Sequence, residues 1–174
     1  MGETRTQPIA TGDPAPDFTL PSQTGDPVTL SALLGEKAIV LYFYPKDDTP
    51  GCTAESCAFR DAYTVFTNAG ADVVGVSDDS AASHARFAAK HRLPFTLLSD
   101  QGGTVRARYG VRKTLGVVPG RVTFVIDQAG IVRHVFSSQR DVMTHVREAL
   151  DTIRALQVDV YPGTDTPVVH SVDL

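Results

Sequence analysis

The residues best suited to chemistry are Cys52 and Cys57, the only two cysteines in the 174-residue chain, five positions apart. Two ligands rarely hold a metal, so a close pair in a chain with no other thiol suits redox work. The pair sits in Pro45-Lys46-Asp47-Asp48-Thr49-Pro50-Gly51-Cys52-Thr53-Ala54-Glu55-Ser56-Cys57, where a buried strand gives way to a helix. Thr49 is a good N-cap and Pro50 suits the first helical position. Gly51 and Cys52 then fall second and third. Unpaired N–H groups and the positive end of the helix favour an anion in that first turn, and the thiolate is the reactive form of cysteine. Cys52 is therefore the expected nucleophile. Thr49 is expected to offer its hydroxyl to the sulfur or to a substrate oxygen, and Gly51 lets a small substrate approach the backbone closely.

Cys57 poses a geometric problem. Five residues along a regular helix rise about 7.5 Å and turn about 140°, which puts the two Cα atoms roughly 8–9 Å apart. A disulfide usually spans about 4.4–6.8 Å. Either no bond forms, or forming it unwinds the first turns of the helix. A transient bond that rearranges residues 49–57 is a better physical reading than a permanent staple.

The elements that must position these residues follow from hydrophobic patterning. Phe18 to Leu20 and Val28 to Leu30 alternate around Gly25-Asp26-Pro27 and predict an N-terminal β-hairpin. Ala38 to Tyr44 is a continuous apolar run, β-branched and aromatic, which predicts a strand buried on both faces. A helix is expected from Thr49 to about Gly70. Strands follow at Asp72 to Ser77 and Phe95 to Leu98, separated by a helix that Ser80 caps and that runs to about His91. A short helix over Gly103 to Tyr109 precedes two strands, Val122 to Ile126 and Ile131 to Phe136, around Asp127-Gln128-Ala129-Gly130. The closing helix spans 141–156, with Val142, Val146, Ala149, Leu150 and Ile153 on one stripe. This succession predicts an α/β fold with a central mixed sheet flanked by helices. Residues 1–11 read as a flexible arm, 12–156 as the folded domain, and 157–174 as a tail without periodicity.

A formal net charge of −4 argues against nucleic acid, whose binding rests on Lys and Arg. No stretch approaches the ~20 apolar residues of a spanning helix, so no membrane role is expected. The N-terminus has no charged-then-apolar signal layout, and a cytoplasmic protein is expected. His84, His91, His134, His145 and His170 form no metal-ligand spacing and read as surface or core residues. Asp47-Asp48 reads as a solvated loop, and Gly102-Gly103, lacking a following Lys-Ser/Thr, as a turn.

The run YFYPKDDTPGCTAESCAFRD resembles the active-site segment of peroxiredoxins. Pro45, Thr49 and Cys52 match the family pattern Pro-x-x-x-Thr-x-x-Cys, and the Cys-x-x-x-x-Cys spacing is similar to that of the peroxiredoxin Q, or bacterioferritin comigratory protein, subgroup. The likeness continues through GVSDDS, LPFTLLSD and YGV to PGRVTFVIDQAGIV. The resemblance implies a thioredoxin-like fold and reduction of hydrogen peroxide and organic hydroperoxides. It makes Cys52 the peroxidatic residue and Cys57 the resolving one, joined in an intramolecular disulfide. It makes Arg121 the catalytic arginine, expected beside the sulfur because it opens a strand next to the one ending at Pro45. Pro45 would shield the sulfur, and Glu55 would orient Arg121. Thioredoxin or a similar dithiol would recycle the enzyme, with no metal or organic cofactor. The subgroup implies a monomer. A thiol–disulfide oxidoreductase on the same fold and a redox sensor are the alternatives. Their chemistry at Cys52 overlaps, and turnover of peroxide separates them.

Overall fold

The chain enters through an antiparallel hairpin, β1 (Thr19–Pro21) and β2 (Pro27–Thr29), in which Thr19 pairs with Thr29. Gly25 makes the turn at a φ of 89° that side chains rarely adopt. Leu30, expected to end the strand, instead opens a one-turn helix α1 (Leu30–Leu33) and is buried, with Thr29 as its N-cap. The structure, a computed structural model, describes residues 7–113 and 116–160.

Strand β3 (Ala38–Phe43) is buried at every residue, as its unbroken apolar run requires. After it come α2 (Pro50–Asn68), β4 (Ala71–Ser77), α3 (Ala81–His91), β5 (Thr96–Ser99) and α4 (Thr104–Arg108). The chain closes with β6 (Val122–Ile126), β7 (Val132–Ser137) and α5 (Val142–Val160). The sheet order is β5-β4-β3-β6-β7. β3, β4 and β5 run parallel, and β6 and β7 are antiparallel to their neighbours. This is the expected mixed α/β sheet, with three parallel strands and an antiparallel pair at one side.

Alternation along β3 divides the core. Val40, Tyr42 and Tyr44 face α2, α3 and α5, packing with Phe59, Phe66, Phe87, Val146 and Ile153. Ile39, Leu41 and Phe43 face the other layer, with Leu30, Tyr109 and Phe124. Tyr42 seats α2 directly: its hydroxyl lies 3.0 Å from Ser56 Oγ and its ring stacks on Phe59 at 4.6 Å. Gly75 stands opposite Tyr42 in β4, and a Cβ there would lie 2.8 Å from the Tyr42 ring and from Leu97. Any larger residue would displace that ring and, through it, the start of α2.

The register of β3 and β6 places the active segment. Phe43 pairs with Val122, so the end of β3 and the residue before β6 meet at the same edge of the sheet. The loop that leads into α2 leaves from there, and Arg121 enters there.

Two expectations about the ends of the chain are corrected. Part of the arm is seated: Ile9 is buried and its N–H donates to the Tyr109 carbonyl. Ile9 completes the apolar face around Tyr109, which the polar look of its neighbours concealed. The closing helix runs to Val160, four residues beyond its expected end at 156. Residues 1–6 of the arm and 161–174 of the tail lie outside the described residues.

Candidate active site at the start of α2

Thr49 is the N-cap of α2, with extended backbone (φ −88°, ψ 150°), and Pro50 takes the first helical position. Pro needs no N–H there, and its fixed φ starts the helix cleanly. Cys52 therefore lies in the first turn as expected, almost completely buried. Thr49 differs from expectation in one respect. Its hydroxyl makes no cap hydrogen bond and donates instead to the Lys46 carbonyl at 2.9 Å. The donor is used within the loop, and the oxygen lone pairs are what Thr49 retains for a substrate. Pro45, half-buried, follows Tyr44 at the end of the central strand.

Arg121 meets Cys52 across this edge. Its Nη2 donates to the sulfur at 3.3 Å and its Nη1 to Glu55 Oε1 at 3.1 Å. Both Arg121 and Glu55 are buried, so the guanidinium is a fixed countercharge shared between a sulfur and a carboxyl. Burial pushes the Glu55 carboxyl up to about 8, against the opposing pull of Arg121. Gly51 makes room for this approach. A Cβ on it would lie 3.1 Å from Arg121 Nη2, so the close neighbour of this glycine is the guanidinium.

Several residues at the site carry no spacing signal in the sequence. Arg106 of α4, buried, donates to the Tyr44 carbonyl and to the Gly120 carbonyl, each at 2.7 Å. It ties the end of the strand bearing Pro45 to the residue before Arg121. Its guanidinium also lies over the Phe43 ring at 5.6 Å. His145 of α5 lies behind Glu55, with Nδ1 3.7 Å from Glu55 Oε2 and 2.8 Å from Thr123 Oγ1. Burial, joined by the Arg121 charge, lowers its imidazole to about 4, so it stays neutral at neutral pH. The Asp47-Asp48 pair is not a uniform solvated loop. Asp48 is exposed at φ 58°, but Asp47 is buried and accepts hydrogen bonds from Tyr44 and Ser83. Asp47 turns inward because α3 packs over the loop, a meeting no local pattern shows. Cys57 lies further along α2, partly buried, and both thiols are free. This leaves Cys57 in the helix that separates it from Cys52.

A buried thiol at a helix start, facing a fixed guanidinium, is arranged for nucleophilic attack on a small polar molecule. Known proteins of similar sequence and fold carry that chemistry. The AhpC/TSA family matches residues 11–135. A peroxiredoxin Q of Triticum aestivum is 50% identical over 149 residues, covering 85% of this chain and 68% of the relative. A peroxiredoxin Q of Arabidopsis thaliana is 50% identical over 145 residues, covering 83% and 67%. Among solved structures, the peroxidoxin BcpB of Mycobacterium tuberculosis superposes with a TM-score of 0.79 at 46% identity, covering 84% of this chain and 97% of that one. The bacterioferritin comigratory protein of Xanthomonas campestris gives 0.74 at 34% identity, covering 80% and 91%. Both plant relatives are chloroplastic proteins, which overturns the expectation of a cytoplasmic protein. A compartment is set by an address segment, so the composition of the folded domain is no guide to it. No helix among the described residues is long and apolar enough to cross a membrane. The family brings with it a peroxide substrate and a thioredoxin-type reductant. This chain belongs to the AhpC/TSA family and is a thiol-dependent peroxidase akin to the peroxiredoxin Q proteins.

Proposed function

We propose that Cys52 is the peroxidatic residue and Cys57 the resolving one of a single-chain catalytic cycle. The observation that carries this reading is the 3.3 Å contact between Arg121 Nη2 and the Cys52 sulfur in a buried first helical turn. The Cys52 thiolate attacks the terminal oxygen of the peroxide in line. The O–O bond breaks, the distal oxygen leaves as water or an alcohol after taking a proton, and Cys52 becomes a sulfenic acid. Arg121 stabilises the thiolate and the charge building on the departing oxygen. The first-turn N–H groups at Gly51 and Cys52 and the Thr49 lone pairs hold the two oxygens in line. Pro45 limits water at the sulfur, and Glu55 fixes the plane of the Arg121 guanidinium.

The first turns of α2 then unwind, the Cys57 thiol condenses with the sulfenic acid, water leaves, and the Cys52–Cys57 disulfide forms. Thioredoxin reduces that disulfide by exchange. Because the resolving thiol lies on the same helix, one protomer suffices and the enzyme works as a monomer. Hydrogen peroxide and organic hydroperoxides both serve as substrates. The bacterioferritin comigratory protein of Xanthomonas campestris has alkyl peroxide reduction activity, which supports the second class here. The domain unit is residues 12–156 with its helical extension.

The test is peroxide consumption with thioredoxin and thioredoxin reductase. The wild type turns over, Cys52→Ser does not, and Cys57→Ser undergoes one oxidation and then stalls. Undiminished turnover in Cys52→Ser would overturn the assignment of the nucleophile. Steady thioredoxin-driven turnover in Cys57→Ser would overturn the intramolecular disulfide.

A further inference from the structure

His84 of α3 is fully buried, and both its ring nitrogens face acceptors. Nε2 lies 3.0 Å from the Leu98 carbonyl, which can only accept, so Nε2 carries a proton. Nδ1 lies 2.8 Å from Asp47 Oδ2. Asp47 is ionised: burial alone would raise its carboxyl, but the hydrogen-bonding contacts with His84, Tyr44 and Ser83 hold it below its ordinary value. Two unprotonated acceptors at 2.8 Å would repel, so Nδ1 carries a proton as well. The titratable groups that face His84 are Tyr44 from β3, Asp47 from the loop and Asp79 from the turn after β4. Burial keeps the Tyr44 phenol neutral, and it donates to Asp47 Oδ1 at 2.6 Å. The nearest side-chain oxygens and nitrogen of Asp47, Asp79 and His84 lie within 4.8 Å of one another. The 2.8 Å contact between Nδ1 and Oδ2 leaves no room for an ion between that pair.

We propose that His84 is a positioning residue that works as an imidazolium: through Asp47 it fixes the loop of residues 45–49 that delivers Thr49 and Pro45 to Cys52. The proposal rests on the reading of Cys52 as the attacking sulfur. Asp47 is the anchor of that loop at two points. Its carboxylate takes Tyr44, Ser83 and His84, and its N–H donates to Asp79 Oδ2 at 2.8 Å. The next residue, Asp48, turns the chain in the left-handed region at φ 58°, which few non-glycine residues other than Asn and Asp adopt. One residue later comes Thr49, the N-cap of the reactive helix. Loss of the Nδ1 proton would set a lone pair against the carboxylate and release the loop at its turn. The Cys52 sulfur would remain, but the groups that hold the peroxide in line would shift.

Two variants separate positioning from mere filling of space. In His84→Gln the amide reaches the Leu98 carbonyl and Asp47 loses its partner. In His84→Asn the amide takes the place of Nδ1 and still donates to Asp47. The first measurement is the rate of Cys52 oxidation by one equivalent of hydrogen peroxide, by stopped flow. The expected result is a rate about tenfold lower in His84→Gln and largely recovered in His84→Asn, since small misplacements of reacting groups cost that much or more. The second is nitrogen NMR of the histidine-labelled wild type, which needs no variant to fold. Both ring nitrogens of His84 are expected to carry protons at neutral pH. A singly protonated ring, or His84→Gln oxidised at the wild-type rate, overturns the proposal. If wild-type Cys52 itself does not oxidise, the reading of the site fails and this proposal fails with it. A reactive wild type with an equally reactive His84→Gln overturns the clamp alone.

Discussion

Glu55→Gln isolates the most perturbed carboxyl at the site. Glu55 is fully buried, one oxygen is held by Arg121 Nη1 at 3.1 Å, and Oε2 has no hydrogen-bond partner. Burial carries its ionisation from an ordinary 4.5 to about 8. Between those values the unfolded chain has lost the proton and the folded one keeps it, so stability falls as pH rises. Each pH unit of that interval is worth about 1.4 kcal/mol, and the whole of it roughly 5 kcal/mol as an upper bound. Gln keeps the acceptor for Arg121, fills the same volume and carries no proton to lose. The stability difference between variant and wild type should therefore be small near pH 5 and grow by several kcal/mol towards pH 8, in favour of Gln. Denaturant unfolding of the two reduced proteins at a series of pH values measures it. Asp47 titrates in both proteins and its contribution cancels in the difference; that of His145, 3.7 Å from Glu55 Oε2, is removed by making the comparison in a His145→Gln background. A difference that stays flat across this range would refute the reasoning and would mean that Arg121 offsets the burial of Glu55 completely.

Gly51→Ala should slow Cys52 oxidation about tenfold while leaving the helix as stable or slightly more so. The added Cβ would lie 3.1 Å from Arg121 Nη2, so the guanidinium must give way by a few tenths of an ångström beside the sulfur; an unchanged rate with peroxide would count against that contact. Arg106→Met leaves the Tyr44 and Gly120 carbonyls buried without a donor, which should cost about 2–5 kcal/mol in denaturant unfolding. A loss below about 1 kcal/mol would mean that water or a neighbour replaces both bonds. His145 is buried neutral, lowered to about 4 from 6.5, so the unfolded chain takes up its proton first on acidification. Stability should fall by about 3 kcal/mol from pH 6.5 to pH 4 through this group, and His145→Gln should lose that part of the decline in an acid titration of unfolding free energy.

The sheet and its helices are legible in the sequence because burial leaves a periodic trace. The run from Ala38 to Tyr44 announces a strand covered on both faces, and it is covered on both. The stripe from Val142 to Ile153 announces the packed face of α5, and Val146, Ala149 and Ile153 lie in the core. The start of α2 is legible for another reason: Thr, Pro and Gly each have a local backbone meaning there. What local rules cannot carry is the meeting of distant segments. Asp47 and Asp48 look alike in sequence. α3 buries one under its His84, while the other stays exposed beside Lys90 of the same helix, 3.2 Å away. Arg106 is one of two arginines on a short helix, and only the adjacency of β3 and β6 gives it two carbonyls to join. Ile9 stands in a polar, proline-containing stretch, and its burial depends on Tyr109, far along the chain.

The proposed disulfide asks how much of α2 must unwind. The contacts that hold its first two turns are polar: Arg121 to the Cys52 sulfur, Arg121 to Glu55, and Tyr42 to Ser56. Each is worth about 1–3 kcal/mol net, so releasing all three costs on the order of 3–9 kcal/mol. Beyond Cys57 the anchorage changes kind. Phe59 stacks on Tyr42 at 4.6 Å and lies 6.0 Å from Phe66, and both phenylalanines are fully buried. Exposing either would cost about 1.5–3 kcal/mol for the side chain alone, before the cavity it leaves in the core. Unwinding past Cys57 would add this cost without bringing the two thiols any closer, which puts the hinge at Ala58. In the proposed cycle, oxidation of Cys52 loosens the first turns, because the attacking thiolate becomes an uncharged sulfenic acid that Arg121 holds less strongly. The same guanidinium that favours the first step thus weakens its grip once that step is complete, and the helix is released only as far as the resolving thiol.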